Sequence, residues 1–167
     1  VARPLPTTPS GAIGGALALS AEVLRPIRVG LDHLAQTFAA ETNKIHRSGL
    51  DAKGEFGGDL FRTSSSFVAS TETARGAVSA SAKVIDPTIA PTEALELIYR
   101  EGTDSWDVLD LLTRDRLGQV SSGVNQVFQG MSFSMEGAPE NGDVVMFSPE
   151  ARPSRTFELL VKDGARV

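Results

Sequence analysis

The strongest constraint on the fold of this chain is a row of large apolar residues at every seventh position in the first third of the sequence. A second row, displaced by three residues, is only half apolar. Rows at spacings of three and four form a narrow apolar seam on a helix, the surface along which helices pack lengthwise. Because the second row is half polar, we expect the helix to need partner helices outside this sequence and the isolated chain to be monomeric. The first row is Leu17, Leu24, Leu31, Phe38 and Ile45, and the second row is Ser20, Ile27, Leu34 and Glu41.

The limits of this helix and its weakest point are also visible in the sequence. Residues 1–12 are rich in proline and predict a linker or an extended arm. Pro26 lacks a backbone N–H group, which predicts a kink or a break in the helix close to that residue. Gly49 predicts the C-terminal end of the helix, and we expect it to adopt a positive φ angle. The helical segment with its following turn is therefore predicted to span residues 13–62.

A compact turn is predicted after the helix, because residues 49–59 contain four glycines. Three carboxylates in this turn, Asp51, Glu55 and Asp59, suggest a possible calcium site built from oxygen ligands. Lys53, however, stands where a calcium loop requires an oxygen ligand, and its ammonium group would repel the cation. We therefore predict that the carboxylates serve the turn and that no metal or cofactor binds.

The apolar period changes to two after three serines at positions 64–66. Alternating apolar and polar residues predict short β-strands, and the Asn-Gly pair at 141–142 predicts a two-residue hairpin turn. We therefore predict an antiparallel β-rich domain over residues 63–167. The predicted fold class is α+β, with a long kinked helical segment followed by this antiparallel β-rich domain. The predicted strands cover residues 67–70, 77–85, 95–100, 106–112, 127–135, 144–147 and 157–161.

Composition argues against several classes of function. The 167-residue chain of 17.6 kDa is long enough for one domain with an appendage. Its net charge of −5 and isoelectric point near 5.0 argue against electrostatic binding to nucleic acid or to an anionic membrane. The absence of cysteine removes disulfides and thiolate metal sites. The longest apolar stretch, around residues 12–19, is far shorter than the roughly 20 residues of a membrane span.

Three patterns resemble ligand or catalytic sites but lack residues that the chemistry needs. The glycines within residues 11–15 precede a helix as in a phosphate loop, but no Gly-Lys-Ser sequence follows them. His33 and His46 do not have the spacing of a zinc motif. A hydrolase that uses His46 with Asp51 or Asp59 would need these groups to converge in a cleft, and the sequence has no Gly-x-Ser-x-Gly motif. We therefore predict that the chain is not an enzyme and has no catalytic residues.

The aromatic residues of the predicted strands suggest an alternative function. Trp106, Tyr99, Phe128 and Phe133 would line a sugar-binding groove if they lay on the surface. Aromatic residues on the strands of a β domain more often belong to the core. Trp106 leaves the alternative open, which is an extracellular β module that binds glycan or a host surface. That function requires an exposed Trp106.

A series of glycine-punctuated motifs runs along most of residues 11–150. A glycine pair precedes a leucine-rich helix with an acidic-Val-Leu-x-Pro step, and Asn-x-x-His, Gly-x-Asp and Gly-x-x-Gly-x-x-x-Phe patterns follow. The residues are Gly14, Gly15, Leu17, Leu19, Glu22, Val23, Leu24, Pro26, Asn43, His46, Gly49, Asp51, Gly54, Gly57, Gly58, Phe61, Phe128, Gln129, Gly130, Met131, Gly137, Ala138, Pro139, Asn141, Gly142 and Asp143. In this order the motifs resemble those of the flagellar hook-associated protein 1 family, whose members lie at the junction of hook and filament in bacterial flagella. Leu60 and Val145 depart from the family pattern, which has aromatic residues there.

The resemblance implies a structural function without catalysis. The chain would be an internal piece of a longer axial protein that is exported by the flagellar secretion system and assembled outside the cell. It would join hook to filament by the packing of subunits. The implied partners are the flagellar hook protein, the next hook-associated protein, further copies of the same protein, and an export chaperone for the full-length protein. Neither nucleic acid nor a membrane is implied as a partner.

Overall fold

The computed structural model describes residues 11–50, 53–71 and 75–161 and confirms the α+β fold class. A long helical segment comes first and antiparallel strands follow it. The helical segment consists of α1 (Gly11–Ala18), a π-helical segment (Leu19–Leu24) and α2 (Arg25–Ser48).

The α-helical hydrogen bonding is interrupted just before Pro26, as the sequence predicts. The N–H group of Arg25 donates to the carbonyl oxygen of Ser20, five residues back, which is the π-helical pattern. In a regular α-helix the ring of Pro26 would clash with the carbonyl group four residues earlier. The wider π turn gives that carbonyl group room, so the helix continues past the proline into α2.

The helix ends at Gly49 as predicted, but the prediction of a positive φ angle there is wrong. Gly49 ends α2 with φ −90° and ψ 169°, an extended conformation that any residue adopts. Its N–H group donates to the carbonyl oxygen of His46 at 3.1 Å, and the chain then extends into an antiparallel bridge between Leu50 and Phe56. The reversal of the chain happens inside this hairpin, where Gly54 takes the positive φ of 81°.

Among the described residues, ten strands form three antiparallel sheets. The order in the five-stranded sheet is β2-β9-β4-β5-β6, the order in the three-stranded sheet is β3-β8-β7, and β1 pairs with β10. A short helix, α3 (Pro153–Thr156), precedes the last strand. The strands are β1 (Phe61–Arg62), β2 (Phe67–Ser70), β3 (Ala77–Val84), β4 (Leu95–Arg100), β5 (Ser105–Asp110), β6 (Arg116–Ser121), β7 (Gly123–Phe128), β8 (Met131–Ala138), β9 (Val144–Pro149) and β10 (Glu158–Leu159).

The two larger sheets pack face to face around an apolar core and form a β sandwich. Phe133 of β8 and Phe147 of β9 meet at its centre, with ring centroids 5.3 Å apart. Both side chains are completely buried. On β3 half-buried and exposed residues alternate, whereas β4 and β5 are buried along most of their length. The sandwich therefore encloses a complete core of its own.

The prediction of one strand over residues 127–135 is wrong. The segment is a hairpin in which β7 ends at Phe128 and β8 begins at Met131. Gln129 and Gly130 form the two-residue turn, and both have positive φ angles, 42° and 71°. Phe128 and Met131 are partners across the turn, so apolar residues continue through it and the sequence reads as one strand.

The prediction of a hairpin turn at the Asn-Gly pair, residues 141–142, is also wrong. β8 and β9, which flank Asn141 and Gly142, belong to different sheets, so the turn carries the chain from one layer of the sandwich to the other. The strand β6, at the edge of the five-stranded sheet, was not predicted from the sequence. Its pattern of exposure is irregular because its register shifts opposite β5 between Val108 and Leu109.

Candidate functional site

The apolar seam of the long helix lies on the surface. The five residues of its first row are between 47% and 70% exposed. Ile27 and Leu34 of the second row are 56% and 63% exposed. A continuous apolar stripe of this kind is unusual on a finished domain, since large exposed patches mark interaction sites. The seam is therefore the candidate functional surface of this chain.

The opposite face of α2 is the one that contacts the β sandwich, and it is mainly polar. The residues that α2 buries are Asp32, Gln36, Ala39 and Asn43. At about 100° per residue, this face points roughly 140° away from the seam. The usual arrangement of an amphipathic helix is thus reversed within this chain.

Hydrogen bonds hold the middle of α2 to the sandwich. The side-chain amide of Gln36 donates to the carbonyl oxygens of Pro87 at 2.6 Å and Ala90 at 3.3 Å. The carboxylate of Asp32 accepts from the backbone N–H of Ser154 at 3.1 Å and also from the Ser154 hydroxyl. Asp32 therefore caps the first turn of α3 from a distant part of the chain.

Asn43 ties the chain that returns from the glycine-rich turn to the helix. Its Oδ1 atom accepts from the N–H groups of Leu60 and Phe61, both at 2.9 Å. Its Nδ2 atom donates to the carbonyl oxygen of Phe61 at 2.7 Å. One side chain thus satisfies three backbone groups at the start of β1.

An ion pair connects the start of α2 to the sandwich. Arg25 donates from Nε to Glu93 at 3.2 Å and from one terminal nitrogen to both oxygens of Asp110, at 3.0 and 2.8 Å. Desolvation alone would raise the pKa of Asp110. The backbone N–H groups of Thr113 and Leu112, together with Arg25, outweigh it and hold that pKa below its usual value.

The glycine-rich turn is locked against the last turn of α2. The carbonyl oxygen of Gly58 lies 2.6 Å from Nδ1 of His46, and Gly57 packs so closely that an added Cβ would lie 2.3 Å from the His46 carbonyl oxygen. Arg47 pairs with Asp59 at 2.8 Å. Phe56, which pairs with Leu50, is 79% exposed. Residues 57–59 of the turn are therefore packed directly against the end of the helix.

The candidate calcium and hydrolase residues do not converge in the described part of the chain. Asp51 lies outside the described residues. Asp59 is engaged by Arg47, and His46 contacts a backbone carbonyl oxygen. Among the described residues, no group of three or more His, Asp or Glu side chains is placed to hold a metal. Gly14 and Gly15, the candidate phosphate-binding glycines, lie inside α1 and not in a loop.

The candidate sugar-binding aromatics belong to the core. Trp106 is 1% exposed, and its indole N–H donates to the hydroxyl of Ser122 at 3.2 Å. Tyr99 and Phe133 are buried beside it, and Phe128 packs against the same core. A buried Trp106 offers no face to a sugar ring, so the glycan-binding alternative is wrong.

An aromatic cluster at the C-terminal half of α2 was not found from the sequence. The rings of Phe61 and Phe157 stack with centroids 4.9 Å apart, and the ring of Phe38 is tilted against both, with centroids 5.4 and 6.0 Å away. Phe61 and Phe157 are close because β1 and β10 pair, which brings together residues almost a hundred positions apart. Only the long-range pairing of the strands creates this cluster.

Known proteins resemble the chain over most of its length. The family described as Flagellar hook-associated protein FlgK helical domain matches residues 3–61. Flagellar hook-associated protein 1 from Escherichia coli (strain K12) is 26% identical over 165 residues, which cover 95% of this chain and 29% of that protein. The protein of the same name from Buchnera aphidicola subsp. Schizaphis graminum is 24% identical over 157 residues, covering 92% and 28%.

A solved structure has the same fold. The flagellar hook junction protein FlgK from Burkholderia pseudomallei superposes with a TM-score of 0.76 at 25% identity, over 94% of this chain and 29% of that one. The chain therefore spans less than a third of the length of these relatives. No helix among the described residues has the length and apolarity that crossing a membrane requires.

Proposed function

We propose that the chain is a member of the flagellar hook-associated protein 1 family and that it is part of a structural component of the bacterial flagellum. In this proposal the whole protein joins hook to filament by packing against its neighbours. The chain contributes one helical surface and one β sandwich to that protein.

The observation that carries this proposal is the exposed apolar seam. A seam of heptad-spaced residues such as Leu31 and Phe38 gains free energy only when other helices cover it. Within this chain the seam residue Phe38 contacts Phe61 and Phe157, but the face of α2 that is buried against the sandwich is mainly polar. We propose that helices outside residues 1–167 cover the seam and that this chain alone is monomeric.

We also propose that different parts of the chain belong to different structural units. Residues 13–62 form a piece of a helical packing unit, residues 63–167 form a β-rich unit, and residues 1–12 form an arm or linker. The partners in this proposal are the flagellar hook protein, the next hook-associated protein, further copies of the same protein and an export chaperone. The site of action is outside the cell, in the flagellum.

The proposal is a function without catalysis. Asp32, Asp59 and His46 are used in capping, pairing and turn formation. Such roles stabilise a scaffold. They give no pair of nucleophile and base of the kind that acyl transfer or hydrolysis uses.

The test places a charge on the seam of the full-length protein. Leu31→Asp combined with Leu34→Asp changes two exposed residues, so the isolated chain should keep its circular dichroism spectrum and melting temperature. In cells, however, we expect the variant to be released into the medium, with filaments absent and swimming lost. Leu112→Asp, at a residue 67% exposed on the β domain, is the matched control and should assemble normally. Normal swimming by the seam variant would contradict the proposal.

A further inference from the structure

The N-terminal part of the helical segment stands away from the rest of the chain. Neither α1 nor the π-helical segment has a buried residue. Between Gly11 and Leu31 every residue is exposed except Gly14, Arg25 and Val29, which are half-buried. Residues 11–24 therefore project from the molecule as a helical arm about 20 Å long.

Arg25 is the first point at which this arm is tied to the sandwich. Its side chain is 17% exposed, and those of Glu93 and Asp110 are 25% and 19% exposed, so the ion pairs are well shielded from water. Asp110 is itself held in place, because it accepts from the N–H groups of Leu112 and Thr113, both at 2.8 Å. The anion that grips Arg25 is thus rigid.

Beside this ion pair the helix and the sandwich do not pack closely. An open cleft of about 620 Å³ separates the first turns of α2 from residues 89–93. Pro26, Val29 and Gly30 line its helical side. The next firm contact is that of Asp32 and Gln36 with Ser154, Pro87 and Ala90. Between the arm and those contacts, Arg25 bridges an open space.

The helix is also weakest at this point. The π-helical segment ends at Leu24, directly before Arg25, and Pro26 cannot donate a backbone hydrogen bond. Sharp changes of helix direction occur at prolines and at π-helical turns. The bridge and the weak point therefore coincide within a few residues.

We propose that Arg25 is a latch that sets the angle of the helical arm, residues 11–24, to the β sandwich, and that the hinge is the loosely packed start of α2 beside the cleft, residues 26–30. When the ion pairs to Glu93 and Asp110 are intact, the arm has one direction. When they are broken, the arm swings together with Arg25 while the rest of α2 stays docked through Asp32, Gln36 and Asn43. The latch and the hinge both lie within this chain.

The test measures the direction of the arm with a pair of spin labels. The chain has no cysteine, so Ala16→Cys with Ser81→Cys gives one labelled pair between the arm and the exposed face of β3. Ala16 lies about 14 Å along the helix from Arg25, so a swing of about 20° displaces it by about 5 Å. A second pair, Glu41→Cys with Ser81→Cys, reports on the docked part of α2.

Asp110→Asn is the decisive variant, because an amide oxygen still accepts from Leu112 and Thr113 while the charge that holds Arg25 is gone. We expect the distance distribution of the first pair to broaden or shift by about 5 Å, and that of the second pair to stay narrow. Arg25→Lys should give an intermediate width, since an ammonium group lacks the forked geometry of a guanidinium. Glu158→Gln, which removes the exposed pair with Arg62, is the matched control and should change neither distribution.

Two results would overturn the latch. An unchanged distribution for the first pair in Asp110→Asn would mean that the helix itself fixes the direction of the arm. Equal broadening of both pairs would mean that the whole contact between α2 and the sandwich has loosened, without a hinge at residues 26–30.

Discussion

The interior of the β sandwich and the contact between α2 and that sandwich are held together in different ways. In the sandwich, side chains such as Phe133, Phe147 and Val108 are wholly buried and apolar. Under α2 the buried residues are mostly polar, and Asp32, Gln36 and Asn43 each form hydrogen bonds with backbone groups outside the helix. Apolar burial supplies most of the free energy of folding, while matched hydrogen bonds contribute less net stability but fix geometry. The sandwich is thus stabilised by its own core, and the helix is positioned on it with its apolar face left for other partners.

Truncation of the core should give the largest loss of stability. Phe133→Ala removes a ring at the centre of the sandwich, and we expect the free energy of unfolding to fall by about 3–5 kcal/mol. Phe56→Ala removes the same kind of side chain from an exposed position in the glycine-rich turn. It should change the free energy of unfolding by no more than about 0.5 kcal/mol. Urea denaturation of both variants measures the difference. If both variants lost a similar free energy of unfolding, the sandwich would not differ from the helical side in how it is stabilised.

Two glycine substitutions, at Gly57 and at Gly49, test the packing of the turn against the helix. The expected effect on stability is intermediate in size. In Gly57→Ala the new Cβ would lie 2.3 Å from the His46 carbonyl oxygen, so the turn must move off the helix, at a cost of about 1–3 kcal/mol. In Gly49→Ala the nearest atom is the same oxygen at 3.6 Å, an ordinary contact, and φ is negative. We expect Gly49→Ala to be neutral or slightly stabilising. Thermal melting of the two variants checks this, and a Gly57→Ala protein as stable as the parent would show that the turn is not locked.

Acid should weaken the sandwich through Asp143. Desolvation opposes its charge, but the N–H groups of Arg75, Glu140 and Gly76 outweigh that effect and lower its pKa. A carboxyl group with a lowered pKa contributes stability above its unfolded pKa of about 3.9, and the contribution is lost as pH falls through the folded pKa. We therefore expect the urea concentration at the midpoint of unfolding to decrease once the pH is lowered below about 4. In Asp143→Asn this decrease should be less steep.

The matched control for the acid experiment is Asp59→Asn, in the exposed pair with Arg47 on the helical side. Exposed ion pairs contribute little, so this variant should follow the parent over the whole pH range. If Asp59→Asn reduced the pH dependence of the urea midpoint as much as Asp143→Asn does, the acid sensitivity would lie in the turn and not in the sandwich.

Calcium should have no effect on either region. A ligand that binds only the native state at 100 times its Kd adds about 2.7 kcal/mol of stability, which a melting experiment resolves easily. We predict no shift at millimolar calcium, because Arg47 engages Asp59 and Lys53 stands within the turn. An upward shift that disappears in Asp51→Ala would identify a metal site in the turn.

Local patterns in the sequence predict most of the elements but not how they contact each other. The seven-residue spacing predicts the helix, Pro26 predicts its irregularity, and alternation predicts the strands β2 and β3 within one residue. The hairpin at Gln129 and Gly130 is missed because apolar residues continue through the turn, so periodicity gives no signal.

The polar face of α2 is missed for a different reason. Asp32, Gln36 and Asn43 are residue types that usually face water, and the sequence gives no sign that distant backbone groups will satisfy them. Their partners lie 17 to 122 residues away along the chain. For the candidate site, the sequence therefore identified the seam, while the structure was needed to show that the seam faces outward.

The pairing of β1 with β10 determines how tension along the chain would be carried. The chain enters the sandwich at Phe61 and leaves it at Leu159, and these two residues are partners, with a further hydrogen bond from the N–H of Leu160 to the carbonyl oxygen of Leu60. Tension applied between α2 and the segment beyond Leu160 therefore acts first on the pairing of β1 with β10. Both ends are pulled at the same end of this pair, so its hydrogen bonds break one after another. As long as this pairing holds, the force passes from the helix to the outgoing chain without stretching the sandwich.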